Sequence, residues 1–318
     1  MEKIIDPISK NLIRAELTPD KLLRTTNKAN NEIYVITHQD APNTMLEIGR
    51  LREDAYRFSG GGTGKSADID IYDTMENPYK QLIVWNPENQ EIMGGYRYIH
   101  GKDVQRYESG VLMLSSAHLF NYSDLFIEDY LPYTIELGRS FVTVGYQSSM
   151  AGSKALFVMD NLWDGLGALI VMYPDLKYFF GKVTMYPNFG EEGRNMILYF
   201  LHKNFPDPER LVFPIHPLRA HMNLSMLSKL FTGGDFKENY KILNTHVRNL
   251  SRNIPPLVNA YMTLSPTMRV FGTCINDEFG DVEETGIMIN VGEIFEEKRD
   301  RHIETYIDQL KVKGVRLD

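Results

Sequence analysis

The run Asp68-Ile69-Asp70-Ile71-Tyr72-Asp73 alternates polar and apolar residues and gathers several carboxylates. Read as a strand and a turn, it places Asp68 and Asp70 on one face and Asp73 across the bend. Such carboxylates repel one another unless a guanidinium, a metal or a substrate ammonium compensates them. Candidate cations are Arg52, Arg97 in Gly94-Gly95-Tyr96-Arg97, and Arg139 in Glu136-Leu137-Gly138-Arg139. Taken singly, each reads as a structural ion pair or a solvated charge. Their joint order along the chain is more informative.

Other motifs carry less chemistry. Residues 60–66 read GGGTGKS, but a phosphate loop of the form G-x-x-x-x-G-K-[ST] needs glycine where Ser59 stands. A helix precedes the run and an acidic segment follows, so it reads as a mobile loop. His216 and His221 are five apart, not at the i, i+4 spacing of a helical metal pair, and no metal is expected. Cys274, the single cysteine, excludes a disulfide framework and reads as a packing residue in an apolar strand.

Two periodicities position these groups. Residues 32–37 alternate and are β-branched, a strand. Met45, Ile48, Leu51, Ala55 and Phe58 recur at helical spacing, so 43–58 is an amphipathic helix capped by Asn43 or Thr44. Segments 81–85 and 91–99 flank Asn86-Pro87-Glu88-Asn89-Gln90 as a hairpin. A strand over 133–144, a helix over 153–173, a strand over 178–185 and a helix over 191–204 follow, then strands over 268–275 and 286–291 joined by a polar turn. The order predicts a single α/β (α+β) domain: a mixed, mostly antiparallel sheet flanked by helices, with a helical insertion over about 206–265. Residues 1–31 read as an N-terminal arm with a short helix around 20–24, and 292–318 as a charged tail or helix.

The 318 residues carry 34 Lys+Arg against 42 Asp+Glu, a net charge of −8. That balance argues against phosphate-backbone binding, so no nucleic-acid partner is expected. The N-terminus lacks the apolar core of a secretory signal. The most apolar stretch, 155–173, is broken by Asp160, Asn161 and Asp164 and is too polar to span a bilayer. A cytoplasmic protein follows, and a pore-forming one is excluded.

In chain order, Arg52 and Tyr56 on the first long helix, D-x-D-x-Y-D at 68–73, G-G-x-R at 94–97 and E-L-G-R-S-F-V at 136–142 resemble acyl-homoserine-lactone synthases. The resemblance is closer to acyl-carrier-protein-dependent N-acyltransferases that make ornithine or glycine lipids, a branch of the GNAT superfamily often labelled haemolysin. Asn161-Leu162-Trp163 with Gly165, Phe180-Gly181, and Ile254-Pro255-Pro256-Leu257 with Tyr261 continue the match, which spans roughly residues 32–291. Asp68 stands where the lactone synthases usually have Glu. The superfamily's Q/R-x-x-G-x-G/A phosphate loop is degraded to Gln147-Ser148-Ser149-Met150-Ala151-Gly152.

The resemblance implies an N-acyltransferase of aminolipid biosynthesis. It would move a fatty or 3-hydroxyfatty acyl group from acyl-carrier protein, or acyl-CoA, to the amine of an amino acid such as ornithine or glycine. No tightly bound cofactor is implied, the acyl-phosphopantetheine thioester being the donor substrate. On this resemblance Glu136 is the base, or orders a base water; its other reading is an ion pair with Arg139 or Arg97. Asp70 and Asp73 would attract the acceptor ammonium and Arg139 or Arg97 its carboxylate, with Arg52 in the same cluster. Backbone N–H groups of Phe141, Val142 and Val144 would hold the pantetheine amides and the oxyanion. Gln147, Gly152 and the helix start at Ser153 would receive a phosphate. The acyl chain needs an apolar cleft between strands 136–142 and 178–185, with Phe141, Trp163, Phe179, Phe180 and Met185 as lining. An acidic carrier needs a basic patch, from Lys154 and Lys182 or from Arg248 and Arg252. A lipid-like product implies peripheral contact at the inner face of the membrane. Two alternatives stay open: an acyl-homoserine-lactone synthase, and a non-catalytic carrier- or lipid-binding module.

Overall fold

The computed structural model describes residues 1–147, 153–220 and 222–315. The main sheet contains β1 (Leu22–Thr25), β2 (Glu32–Ile36), β3 (Lys80–Asn86), β4 (Glu91–His100), β6 (Thr134–Val142), β7 (Tyr178–Met185), β9 (Arg269–Asn276) and β10 (Val282–Asn290). β5 (Phe120–Tyr122) and β8 (Val212–Pro214) pair separately. The main order is β1-β2-β3-β4-β6-β7-β10-β9, antiparallel throughout except for the parallel β6–β7 pair. This is the mixed, mostly antiparallel sheet that the pattern predicts. Parallel neighbours need a long crossover, and the helix Ser153–Met172 lies within it.

Strand alternation divides the core between two faces. Leu82 and Val84 of β3 pack with Leu162, Leu166 and Leu169 of helix Ser153–Met172. Ile83 and Trp85 point the other way, towards Ile48, Leu51 and Ala55 of helix Pro42–Ser59. The first face is completed by helices Glu191–Asn204, Phe236–Asn249 and Pro256–Met262, through Phe200, Leu243 and Val258. A third cluster, around Phe120, Phe126 and Phe180, continues the second face towards β7 and β10. No helix among the described residues is long and apolar enough to cross a membrane.

Two local expectations change. The segment around 20–24 is not helical: a 3-10 turn, Pro19–Lys21, leads into β1, which forms a hairpin with β2. Its turn uses left-handed Ala29 and Asn30, at φ 66° and 50°, without the Asn-Gly pair that usually marks such hairpins. Buried Arg24 of β1 donates to the carbonyl oxygens of His302 (3.0 Å) and Asp164 (3.3 Å). His302 Nδ1 lies 2.7 Å from Asp164 Oδ1, so the edge strand, the crossover helix and the C-terminal segment lock together. The cap of helix Pro42–Ser59 differs too. Neither Asn43 nor Thr44 caps it; the Glu16 carboxylate accepts both of their N–H groups, at 3.0 and 2.7 Å. A cap from elsewhere in the chain leaves no local signature.

Candidate active site

The sheet opens at β6. Its parallel ladder with β7 runs only from Thr134 opposite Tyr178 to Glu136 opposite Phe180. On the other side Arg97 of β4 pairs with Gly138 and Gly95 with Phe141, so Tyr96 alone faces Arg139 and Ser140. Such a bulge bends its strand and re-aims the side chains on it. Arg139 adopts φ 47°, a left-handed conformation costing about 1–3 kcal/mol in a non-glycine residue. Gly181 permits the last close approach of the two strands: a Cβ there would lie 2.8 Å from the Leu137 carbonyl oxygen.

Beyond that point β6 and β7 diverge around a cavity of about 460 Å³. One end is apolar, with Met159, Leu162, Phe179, Tyr261 and Ile287 in its wall. The other is polar, with Tyr56, Arg139, Ser140, Lys182, Thr184 and Glu284. Phe141, Phe179 and Phe180 line it as expected. Trp163 instead borders a smaller neighbouring pocket, and Met185 is packed in the core.

The three aspartates and three arginines do converge, but not on a strand. Asp70 is the N-cap of a short helix, Ile71–Thr74, accepting from the N–H groups of Tyr72 (2.9 Å) and Asp73 (3.3 Å) while the Asp73 carboxylate accepts from the Asp70 N–H (3.2 Å). Aspartate favours this position because its carboxylate satisfies orphan helix donors, which overrides the alternating pattern. Arg52 Nη1 lies 3.3 Å from Asp73 Oδ1, and Gln81 bridges them, accepting from Arg52 and donating to Asp73 at 3.0 Å. Arg97 Nη1 reaches Asp70 at 2.8 Å and Asp73 at 3.2 Å. Arg139 Nε lies 2.9 Å from Asp68 Oδ2, and its Nη2 is 3.6 Å from Asp70.

Burial opposes ionisation of Asp73, but Arg52 and Arg97 outweigh it and hold the carboxyl well below its usual range. For Asp68 burial wins and its pKa is raised despite Arg139, Arg52 and Arg97. Neither Asp68 oxygen accepts a hydrogen bond, the Arg139 Nε–H not being aimed at it. Of these six residues only Arg139 reaches the cavity wall, its guanidinium 4.5 Å from the centre of the Phe279 ring. Buried Arg52, Arg97 and Asp73, with half-buried Asp70, form the platform behind it.

Glu136 has neither of its expected ion-pair partners. Its carboxylate accepts from Ser115 N–H (3.2 Å) and Oγ (3.3 Å), Ser116 N–H (3.1 Å) and Oγ, and the Tyr79 hydroxyl. Arg97 and Arg139 are held by the aspartates. Glu136 is buried and stands outside the cavity wall. A carboxylate whose lone pairs are already engaged is an anchor and a poor base.

The charged pair in the cavity wall is Lys182 with Glu284. Lys182 Nζ lies 2.8 Å from Glu284 Oε1, and Thr184 Oγ1 donates to Oε2 at 3.0 Å. Burial opposes the charge on Glu284, yet Lys182 and Thr184 bring its pKa below the ordinary value. Sequence reading misses Glu284 because Glu283-Glu284 looks like a polar turn before 286–291, whereas β10 already begins at Val282. The β-branched Val282 and Thr285 on either side of the acid pair were the available strand signal. Lys182 is accordingly paired, not free surface charge for a carrier.

The remaining expected contacts divide. Val142 and Gln147 are in the wall, with Gln147 Nε2 donating to the Val142 carbonyl oxygen at 3.0 Å. Val144 packs against the core beneath helix Pro42–Ser59. Gly152 and His221 lie outside the described residues, and Ser153 and Lys154 open helix Ser153–Met172. The GGGTGKS loop is tied down by hydrogen bonds where a mobile loop was expected: the N–H groups of Thr63 (3.0 Å) and Gly64 (2.8 Å) donate to the Glu53 carboxylate. Burial pushes the Cys274 thiol up to about 12, consistent with packing.

A family model described as an acetyltransferase (GNAT) domain matches residues 51–156. A glycine N(alpha)-acyltransferase of Phocaeicola vulgatus is 64% identical over 309 residues, 97% of this chain and 95% of that protein. One from Bacteroides thetaiotaomicron is 66% identical over 308 residues, 97% of this chain and 91% of its own. Among solved structures, a CoA-dependent acyl-homoserine lactone synthase with SAM and isopentyl-CoA aligns with TM-score 0.38 at 9% identity, covering 88% of this chain and 90% of that one. An N-acyl amino acid synthase from uncultured soil microbes aligns with TM-score 0.37 at 10% identity, covering 83% and 93%. The relatives that match almost end to end decide the matter: the chain belongs to the glycine N(alpha)-acyltransferase family and is an acyltransferase of the GNAT class.

Proposed function

We propose that the protein transfers a fatty acyl group from a phosphopantetheine thioester to the amine of glycine, with acyl-carrier protein as the donor. The observation that carries this reading is the cavity between β6 and β7, apolar at one end and bearing Lys182 and Glu284 at the other. The names of the two relatives favour glycine over ornithine as acceptor. The acyl chain lies among Met159, Leu162 and Phe179, and its thioester carbonyl meets the free edge of β6 at Val142, whose backbone N–H, on the side away from β4, stabilises the oxyanion.

The acceptor's ammonium is drawn to Glu284 and gives it a proton, while Arg139 binds the acceptor's carboxylate. The free amine attacks the carbonyl carbon and the N–C bond forms. As the C–S bond breaks, Lys182 protonates the departing thiolate, then regains a proton from the new amide nitrogen. Glu284 releases its proton to water, so one proton is produced per turnover. Glu136, Asp70, Asp73, Arg52 and Arg97 act here as positioning groups that fix β6 and Arg139. Exposed Arg248 and Arg252, close in sequence to wall residues Pro255 and Pro256, offer an acidic carrier a dock. A lipid-like product brings the protein to the cytoplasmic membrane surface.

The test is incubation with glycine and either acyl-carrier or acyl-CoA thioester, following free thiol and the mass of N-acylglycine. Release of thiol with matching N-acylglycine supports the reading. Turnover only with CoA overturns the donor assignment, and turnover only with ornithine overturns the acceptor.

A further inference from the structure

The acyl cavity has a neighbour. A small pocket of about 20 Å³ lies beside Trp163, Leu166, Gly167, Ile170, Leu264 and Ile294, with Lys298, His302 and Ile303 also in its wall. Phe179 lines both spaces. Three elements run continuously from one to the other. Along helix Ser153–Met172, Met159 and Leu162 face the cavity, while Leu166 and Ile170 face the pocket, one stripe at three- and four-residue spacing. Tyr261 leads to Leu264, and Ile289 to Ile294, in the same sense. Between them stand buried Phe179 and the edge-on Trp163–Tyr261 pair, ring centres 5.5 Å apart. The pocket ends on a π-helical turn, Asp300–Glu304, a form common at functional sites.

Resting on the acyl-transfer reading above, we propose that Phe179 is a chain-length gate. The pocket behind it receives the distal end of the longest acyl groups when the ring swings aside. Phe179 is the side chain that lines both spaces, and a rotamer change can remove such a partition without moving backbone. With Phe179 in place the pocket has room for at most a chain terminus; with it displaced, the two volumes join along the helical stripe.

The experiment compares the full-length wild type, Phe179→Ala and Leu166→Phe, each checked for folding by circular dichroism, on glycine with acyl thioesters of graded length. Phe179→Ala is expected to raise kcat/KM for the longest chains relative to shorter ones about tenfold, the discrimination typical of one methylene in an apolar pocket. Leu166→Phe fills the pocket from its far side and is expected to shorten the longest accepted chain. An unchanged length profile in both variants overturns the gate. If Phe179→Ala does not fold, Leu166→Phe decides alone. If wild type acylates no amino acid, the function proposed above fails by itself. The gate is then judged by thermal protection with S-acyl-pantetheines of graded length, where a length cut-off moved by either variant supports it. An unmoved cut-off, or no protection by any length, removes it.

Discussion

Glu136 and Glu284 sit two strands apart on one face of the same sheet: Glu136 is opposite Phe180, Glu284 is opposite Thr184, and alternation puts Phe180, Lys182 and Thr184 on one side. Both are buried, 2% and 1% exposed, so burial does not distinguish them. Their partners do. Hydroxyl and N–H donors surround Glu136, from segments that β6 must hold in place. Glu284 is ion-paired with Lys182 and also feels the charge of Arg139, and the Lys182–Glu284 pair forms part of the cavity wall. A carboxylate caged by neutral donors joins segments of the fold, whereas one paired with an ammonium in a cavity wall is placed where the proposed proton transfer needs an acceptor.

The sharpest test of that contrast is Glu284→Gln. Losing a positioned proton acceptor should lower kcat about 10²–10⁴-fold, measured as initial thiol release per folded molecule. Near wild-type turnover in the variant would erase the distinction between the two glutamates. Arg52→Ala comes next. It leaves Asp73 buried beside fewer cations, which should cost about 3–5 kcal/mol in a denaturant titration. A loss under about 1 kcal/mol would mean that the platform behind Arg139 is not tightly coupled.

Glu136→Gln tests the other half. The amide keeps shape but loses acceptor strength and brings donors that face donors, at a cost of about 1–3 kcal/mol. Turnover of the folded fraction should stay within a few-fold of wild type. A loss of turnover matching that of Glu284→Gln would return Glu136 to the chemistry.

Patterning made most of the sheet legible in the sequence, because β3 and β4, buried on both faces, are apolar runs bounded by turn residues, and the long helices bury a stripe that recurs at helical spacing. The cluster at 68–73 was legible as a set of charges that must meet cations. Its geometry was not, since Asp70 as an N-cap and alternation as a strand compete over the same residues. β1 was hidden by its unusual turn, and Glu284 by a strand start that looks polar. The β6 bulge that opens the cavity rests on one left-handed residue, Arg139, whose type carries no turn signal.

The smallest expected effect separates Asp68 from Asp73 by the sign of their pH dependence. Asp73 is held below its ordinary 3.8 in the fold, chiefly by Arg52 and Arg97 against the cost of burial. Its charge stabilises the protein above that value, and the contribution is lost as pH falls towards the depressed folded pKa. Asp68 is raised, because burial outweighs Arg139. Its contribution is full below the ordinary value and declines as pH rises through the window between 3.8 and its raised folded value. Denaturation midpoints across the acid range should therefore show Asp68→Asn gaining on wild type as pH rises from about 4, by at most about 1.4 kcal/mol per pH unit for one proton. Asp73→Asn should behave oppositely, its deficit shrinking as pH falls below 3.8. Parallel pH curves for the two variants would show that Asp68 is as fully ionised as Asp73, and the orphaned carboxylate beside Arg139 would then be a second half of the platform.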